Sequence, residues 1–216
     1  MKRAPAPVTR YAAPRASARL VLAHGAGAGQ GHPLIVLWAR GLAARGVDVC
    51  TFDFPYIARG TRRPDARATL EACWVAVAEA LRPRRGAYVL AGKSMGARMA
   101  SYVLASGAVR ASGLVCFGYP LHPVGTPFPR ARGARPPAER AAHLRALGAP
   151  ALFVQGTRDE LSTAAEVARA IRGAADASVY VVPGGDHSLR VRKRDGDQAA
   201  LDAAMLDAVA AFVLAR

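Results

Sequence analysis

Residues 88–97 read YVLAGKSMGA, and this stretch decides the fold. Tyr88–Ala91 is a short apolar run of the kind that forms a buried strand, and a helical run starts at about Ala97. Between them stands Gly92-Lys93-Ser94-Met95-Gly96, which fits G-x-S-x-G. On a tight strand-to-helix turn a serine projects its hydroxyl out at the edge of the sheet. Glycines on both flanks let neighbouring backbone pass close by, and the next helix aims its N-terminal dipole at the serine. A phosphate-binding loop is the competing reading of Gly92-Lys93-Ser94. It needs glycine at 87, where the chain has Ala87, and the intervening AYVLA is a strand rather than a cradle.

The pattern continues outward in both directions. Further short apolar runs stand at Leu20–Ala23, Val47–Phe52, Gly113–Phe117, Ala151–Val154 and Val179–Val182. Bounded by Gly or Pro, they suit strands covered on both faces. Helical spacing lies between them. Leu70, Trp74, Val77 and Leu81 share one stripe, with Pro64 near its start. Thr163 and Glu166 are spaced as a capping box for a helix through Ile171, and Leu201, Met205, Val209 and Phe212 mark a last helix. Alternating strands and helices predict an α/β fold: a three-layer α/β/α sandwich with a mostly parallel central sheet. Residues 1–18 read as a flexible basic arm with a short edge strand at Val8–Tyr11, and 19–216 as one domain. The Pro-rich stretch 119–137 breaks the rhythm where a strand ends, the place where open α/β sheets bind ligands.

With 216 residues, 52% of them hydrophobic and 21% charged, the chain has material for a sizeable core and is not a disordered protein. No apolar run approaches the roughly 20 residues that span a bilayer, so no membrane span is expected. The formal net charge is +15, and all of the 30 basic residues except Lys2, Lys93 and Lys193 are arginine. They are dispersed along the chain, so they read as a solvated surface and no specific nucleic-acid partner is expected. Cys50, Cys73 and Cys116 are odd in number and form no C-x-x-C pair, which argues against a disulfide framework or a cysteine zinc site. Buried thiols in a reducing compartment, and a cytoplasmic location, are the expectation. The N-terminus lacks the apolar segment of a secretory signal.

A serine nucleophile needs a base, and the base needs an orienting acid. In this architecture they follow in the order Ser, acid, His, each after a strand. Asp159 lies just past Ala151–Val154, and His187 just past Val179–Val182. His24 and His32 precede the serine; His24 is better read as ordering its own loop. His122 falls in the Pro-rich stretch and His143 reads as a helix-surface residue. Asp53 is the main rival for the acid, with Glu160 and Asp186 beside the preferred positions. The oxyanion needs backbone donors. The N–H of Met95 is one, and Ala26, in the small-residue loop of residues 24–31, is the choice for the other, with Gly27 next.

LAHGAGAG, GKSMG, CFGYPLHP, VQGTRDE and GGDHSL occur in that order. Together they resemble the α/β-hydrolase superfamily, and more narrowly its small dienelactone-hydrolase-like branch, related to the testis-expressed and histone-acetyltransferase-complex hydrolase-like proteins. The resemblance covers about residues 18–215. It implies an α/β-hydrolase fold, from which this sequence departs in size: the usual leading strands are absent or reduced and no large cap is inserted, so a minimal form is expected. It also implies Ser94 as nucleophile, Asp159 as acid, His187 as base and an oxyanion site at Ala26 and Met95. The expected activity is serine hydrolysis of a small or medium ester or thioester, with no metal or organic cofactor. A silent scaffold that keeps the fold is the alternative. Gly27, Tyr119, His122 and Arg98 are expected to contact substrate, and Arg62, Arg63, Arg98 and Arg190 to ring the mouth and favour acidic acyl groups.

Overall fold

The computed structural model describes residues 6–128 and 135–216; the Pro-rich stretch expected to bind ligand lies partly outside them, as does the start of the expected arm. Seven strands form one sheet in the order β1-β3-β2-β4-β5-β6-β7. They are β1 (Val8–Tyr11), β2 (Ala18–Ala23), β3 (Asp48–Phe52), β4 (Ala87–Lys93), β5 (Gly113–Phe117), β6 (Ala151–Gly156) and β7 (Ala177–Val182). β1 pairs antiparallel with β3 at the edge, and the other neighbours are parallel. The strand cores fall where the apolar runs put them. The ends run longer because pairing continues through polar and glycine residues: Lys93 still pairs with Phe117, and Gly156 with Val182.

The helices are α1 (Pro33–Ala43), α2 (Pro55–Ala58), α3 (Arg67–Leu81), α4 (Met95–Ala105), α5 (Ala138–Ala141), α6 (Ala164–Ala170) and α7 (Gln198–Leu214). One apolar cluster on a face of the sheet unites Trp74 and Val77 of α3, Met99 and Val103 of α4 and Val167 of α6. A second, on the other face, unites Trp38 and Leu42 of α1 with Met205, Val209 and Val213 of α7. Every residue of β3, β4, β5 and β6 is buried, as strands covered by helices on both sides require. This is the expected α/β/α sandwich. The capping box forms: Thr163 Oγ1 accepts from Glu166 N at 3.3 Å, and Thr163 N donates to Glu166 Oε2 at 2.8 Å.

Two details of the helices differ from expectation. α3 begins at Arg67, so Pro64 lies outside it rather than in its first turn. On α7 the buried face runs through Met205, Leu206, Val209, Ala210 and Val213, while Leu201 and Phe212 are only half-buried. Among the described residues no helix is long and apolar enough to cross a membrane.

The topology creates the site. From β2 the chain moves to β3 on one side, then returns to β4 on the other. The loops leaving β2 and β4 therefore diverge at a switch point and open a crevice at their C-terminal ends.

Candidate active site

Ser94 lies between β4 and α4 with φ 51° and ψ −114°, a backbone conformation that L-residues avoid. The packing around it enforces the turn. Ser94 N donates to Phe117 O at 3.0 Å, tying the turn to β5. A Cβ on Gly96 would lie 2.5 Å from His24 O, and one on Gly92 would run into Ala97 N. Only glycines let α4 start this close to β2 and β4. The Ser94 side chain does not cap its own helix, so the hydroxyl is available to another partner.

That partner is His187, whose Nε2 lies 2.9 Å from Ser94 Oγ. On its other side, His187 Nδ1 lies 2.9 Å from Asp159 Oδ2 and 3.0 Å from Oδ1. Asp159 is fully buried. Its oxygens also accept from Gln155 Nε2 at 2.6 Å and from the backbone N–H of Leu161 at 2.8 Å. These neighbours are donors, so the carboxylate acts as acceptor throughout, and His187 Nδ1 carries the proton. Nε2 is then left to accept from the Ser94 hydroxyl. The imidazole side chain is 23% exposed, enough for substrate to reach the pair.

Lys93 adds a feature that the G-x-S-x-G pattern leaves unspecified. Its side chain turns inward from the end of β4, and Nζ donates to His187 O at 2.7 Å. Burial pushes this amine down to about 8, against the attraction of Asp159 and Asp186. Asp186 shapes the histidine loop: its Oδ1 accepts from Ser188 N at 2.7 Å and Arg190 N at 3.0 Å. Gln155, also unforeseen, holds Asp159 with its amide and accepts from Tyr119 N at 2.8 Å with Oε1.

The loop after β2 is organised from within, as expected of His24. Phe54 N donates to His24 Nε2 at 3.1 Å, so the proton sits on Nδ1, which donates to Gly25 O at 2.8 Å. Burial holds His24 below the usual histidine range, in keeping with this neutral ring. Asp53 is committed to the same loop, accepting from Gln30 N at 2.7 Å and Gln30 Nε2 at 3.1 Å. It is remote from His187 in role and does not compete with Asp159.

Two cavities meet at Ser94. One of about 220 Å³ has an apolar wall of Leu70, Met95, Met99, Val124 and Leu161, and carries Arg67, Arg98, Arg140, His122 and Asp65. The other, about 310 Å³, runs past His32, Ile35, Glu160, His187 and Ser188. Ala26 borders both, and Met95 borders the first.

Several expected substrate contacts are placed differently. Arg98 and His122 do line the first cavity. Tyr119 does not: it is fully buried, edge-on to Phe153, with its hydroxyl donating to Arg140 O at 3.0 Å. Gly118, just before it, stands at φ +61°. Gly27 turns its loop at φ +70° and lines neither cavity. Arg62, Arg63 and Arg190 line neither, and Arg190 lies 3.7 Å from Asp202; the cavity arginines are Arg67, Arg98 and Arg140. His143 is not a surface residue but half-buried, with Nε2 2.8 Å from Ser101 Oγ and its ring 4.3 Å from that of Tyr102. None of the three cysteines is in a disulfide; Cys50 and Cys116 are buried and Cys73 is only half-buried.

A G-x-S-x-G turn between strand and helix at the switch point of a mostly parallel sheet is the arrangement of the α/β-hydrolase class. The chain belongs to this family: the family description "Alpha/beta hydrolase domain" matches residues 16–214. Solved structures repeat the fold. A protein of Thermus thermophilus is 22% identical with a TM-score of 0.73, over 98% of this chain and 95% of its own. Dienelactone hydrolase from Anabaena variabilis is 16% identical with a TM-score of 0.71, over 94% and 88%. A Xanthomonas campestris α/β serine hydrolase described as having no lid is 20% identical with a TM-score of 0.64, over 95% and 88%. No curated protein sequence matches the chain.

Proposed function

We propose that this α/β-hydrolase family member is a serine hydrolase cleaving a small or medium carboxylic ester or thioester through an acyl-enzyme. The observation that carries the reading is the continuous contact from Asp159 through His187 to Ser94 Oγ, at 2.9 Å for each link, beside an apolar cavity. As Ser94 Oγ bonds the acyl carbon, His187 Nε2 takes the hydroxyl proton and the carbonyl electron pair moves to oxygen. The N–H groups of Ala26 and Met95 hold that oxyanion. When it collapses, the bond to the leaving oxygen or sulfur breaks and His187 returns the proton to that atom. Water then attacks the acyl carbon, His187 takes a proton from the water, and the bond to Ser94 Oγ breaks as the serine is reprotonated. The net change is water plus ester giving acid plus alcohol, or thiol for a thioester. Asp159 keeps the imidazole tautomer and stabilises its charged form.

The Anabaena variabilis relative is named as a dienelactone hydrolase, and a Butyrivibrio proteoclasticus structure of the same fold is titled with ferulic acid bound to Est1E. Both names accord with carboxylic-ester chemistry. We assign the protein to the cytoplasm, where cysteines outside disulfides stay reduced. The test is turnover of a panel of p-nitrophenyl acyl esters and short acyl thioesters by the wild type and by Ser94→Ala. Hydrolysis by the wild type alone is expected. Equal rates for both proteins remove Ser94 from its role, and no turnover by either favours a binding protein.

A further inference from the structure

Two consecutive residues hold His187. Ser94 Oγ meets the ring at Nε2, and Lys93 Nζ donates to the backbone carbonyl of the same histidine at 2.7 Å. Lys93 ends β4, in the middle of the sheet, whereas His187 lies in the loop after β7, the edge strand. The rest of that loop is tied elsewhere. Arg158 N donates to Gly185 O at 2.9 Å and Gly184 N to Thr157 Oγ1 at 2.9 Å, while Asp186 closes the loop on itself. The lysine bond therefore joins the strand that leads into Ser94 to the backbone that carries the imidazole.

Gly118 leaves room for this bond. A Cβ there would lie 2.8 Å from His187 O, 3.3 Å from Lys93 Nζ and 3.6 Å from Asp159 Oδ2. The amine, the histidine carbonyl and the Asp159 carboxylate thus surround one small gap. Lys93 is buried, and no carboxylate bonds to it among the described residues; Asp159 and Asp186 act on it through space. A buried amine held by one carbonyl is costly, and a methionine of similar length would fill the position without that penalty. Charge and a donor are what methionine lacks. Burial brings the amine down to about 8, so most of it keeps its proton at neutral pH.

The other titratable groups around the pair come from several elements. After β6 stand Arg158, Asp159 and Glu160, and the histidine loop carries Asp186 and Arg190. Glu160 borders the cavity beside His187, as does His32 from the segment before α1. His24, after β2, is neutral and bonded within its own loop, and burial keeps Cys116 and Tyr119 neutral on the β5 side. Arg158 and Arg190 lie 3.7 Å from Asp195 and Asp202 respectively, whereas Lys93 has no such partner. We infer that Lys93 is a positioning residue of the reaction: its bond to the His187 carbonyl seats the imidazole against Ser94, and its charge offsets part of that of Asp159, so the imidazole is an unprotonated base at neutral pH. The inference deepens the proposed function and rests on it. A carboxylate in contact raises the proton affinity of a histidine, and a nearby cation lowers it. A base held in place also loses less rate to misalignment.

The experiment follows kcat/KM for p-nitrophenyl acetate between about pH 4.5 and 8 in the wild type, Lys93→Met, Lys93→Gln and Lys93→Arg, with far-ultraviolet spectra to check folding. Lys93→Met lowers the plateau about tenfold and moves the acid limb up by about 0.5–1 pH unit, because donor and charge are both gone. Lys93→Gln, a donor without charge, moves the limb as far with a smaller loss of plateau. Lys93→Arg leaves the limb where the wild type has it. Should Lys93→Met not fold, the limb of Lys93→Gln against that of Lys93→Arg decides. A limb unmoved in the neutral variants overturns the inference, since a side chain that merely fills space changes the plateau and not the limb. So does a Lys93→Met plateau within about twofold of the wild type. Either result, with an active wild type, leaves the hydrolase reading standing. Wild-type protein that turns over no ester and takes no fluorophosphonate at Ser94 overturns both.

Discussion

Two carboxylates are buried at opposite ends of the same sheet, and they are treated differently. Asp48 opens β3 at the N-terminal end. It is clamped by Arg10 Nε at 2.8 Å and Arg19 Nε at 2.7 Å. Burial alone would raise its pKa, but the bonds to the two guanidiniums outweigh that and hold it below the usual value. Asp159 follows β6 at the C-terminal end and takes its hydrogen bonds from an amide, backbone N–H groups and one imidazole. The first carboxylate is neutralised on the spot by cations that also tie β1 and β2 to β3. The second is satisfied mostly by neutral donors, so its charge is directed at His187. A buried acid paired with arginines holds a structure together, whereas one paired with a histidine can drive proton transfer.

The largest expected effect in breaking this contrast is at Ser94, the proposed nucleophile. Ser94→Ala lowers ester turnover by about 10⁴-fold or more while leaving the unfolding midpoint in place. Asp159→Asn lowers kcat by about 10⁴-fold, because the imidazole loses its fixed tautomer, with the far-ultraviolet spectrum unchanged.

The next effect concerns Lys93, at the C-terminal end with Asp159. Its folded value, about 8, is below the ordinary 10.5. Between those limits the unfolded chain binds the proton more than the folded one does, so stability rises with pH across that window. Urea unfolding of the wild type at pH 8 and pH 10 therefore shows a gain from this group of about 2 kcal/mol. Lys93→Met loses that gain.

The smallest effect on activity is at Asp48. Asp48→Asn costs about 1–3 kcal/mol of unfolding free energy and leaves kcat within about twofold. Because the folded value of Asp48 lies below 3.8, its contribution is complete above that pH and is lost as pH falls through the lower folded value. The substitution flattens that acid limb in equilibrium unfolding.

The contrast also explains what could be read in advance. That Ser94, Asp159 and His187 meet was legible because each follows an apolar strand, and strand ends are local features of the chain. Asp48 was not, since its meaning depends on β1 and β2 flanking β3, which only the sheet order establishes. Lys93 and Gln155 were hidden for a similar reason. Each extends from its own strand to a loop attached to another, Lys93 to the histidine loop and Gln155 to the turn at Tyr119. The arginines show the same limit. Which of them face Ser94 depends on where α3 begins and how α5 folds back, and neither is written in local spacing. Arg67 and Arg140 therefore line the cavity while Arg62 and Arg63 do not. Tyr119 opens the Pro-rich stretch that was expected to bind ligand, yet it lies in the core just after Gly118 at φ +61°.

Treatment with a fluorophosphonate followed by peptide mapping tests the central claim most directly. The account predicts an adduct on the peptide carrying Ser94, none in Ser94→Ala, and much slower labelling in His187→Gln. Wild-type protein that stays unlabelled, or an adduct on another serine that persists in Ser94→Ala, would contradict it.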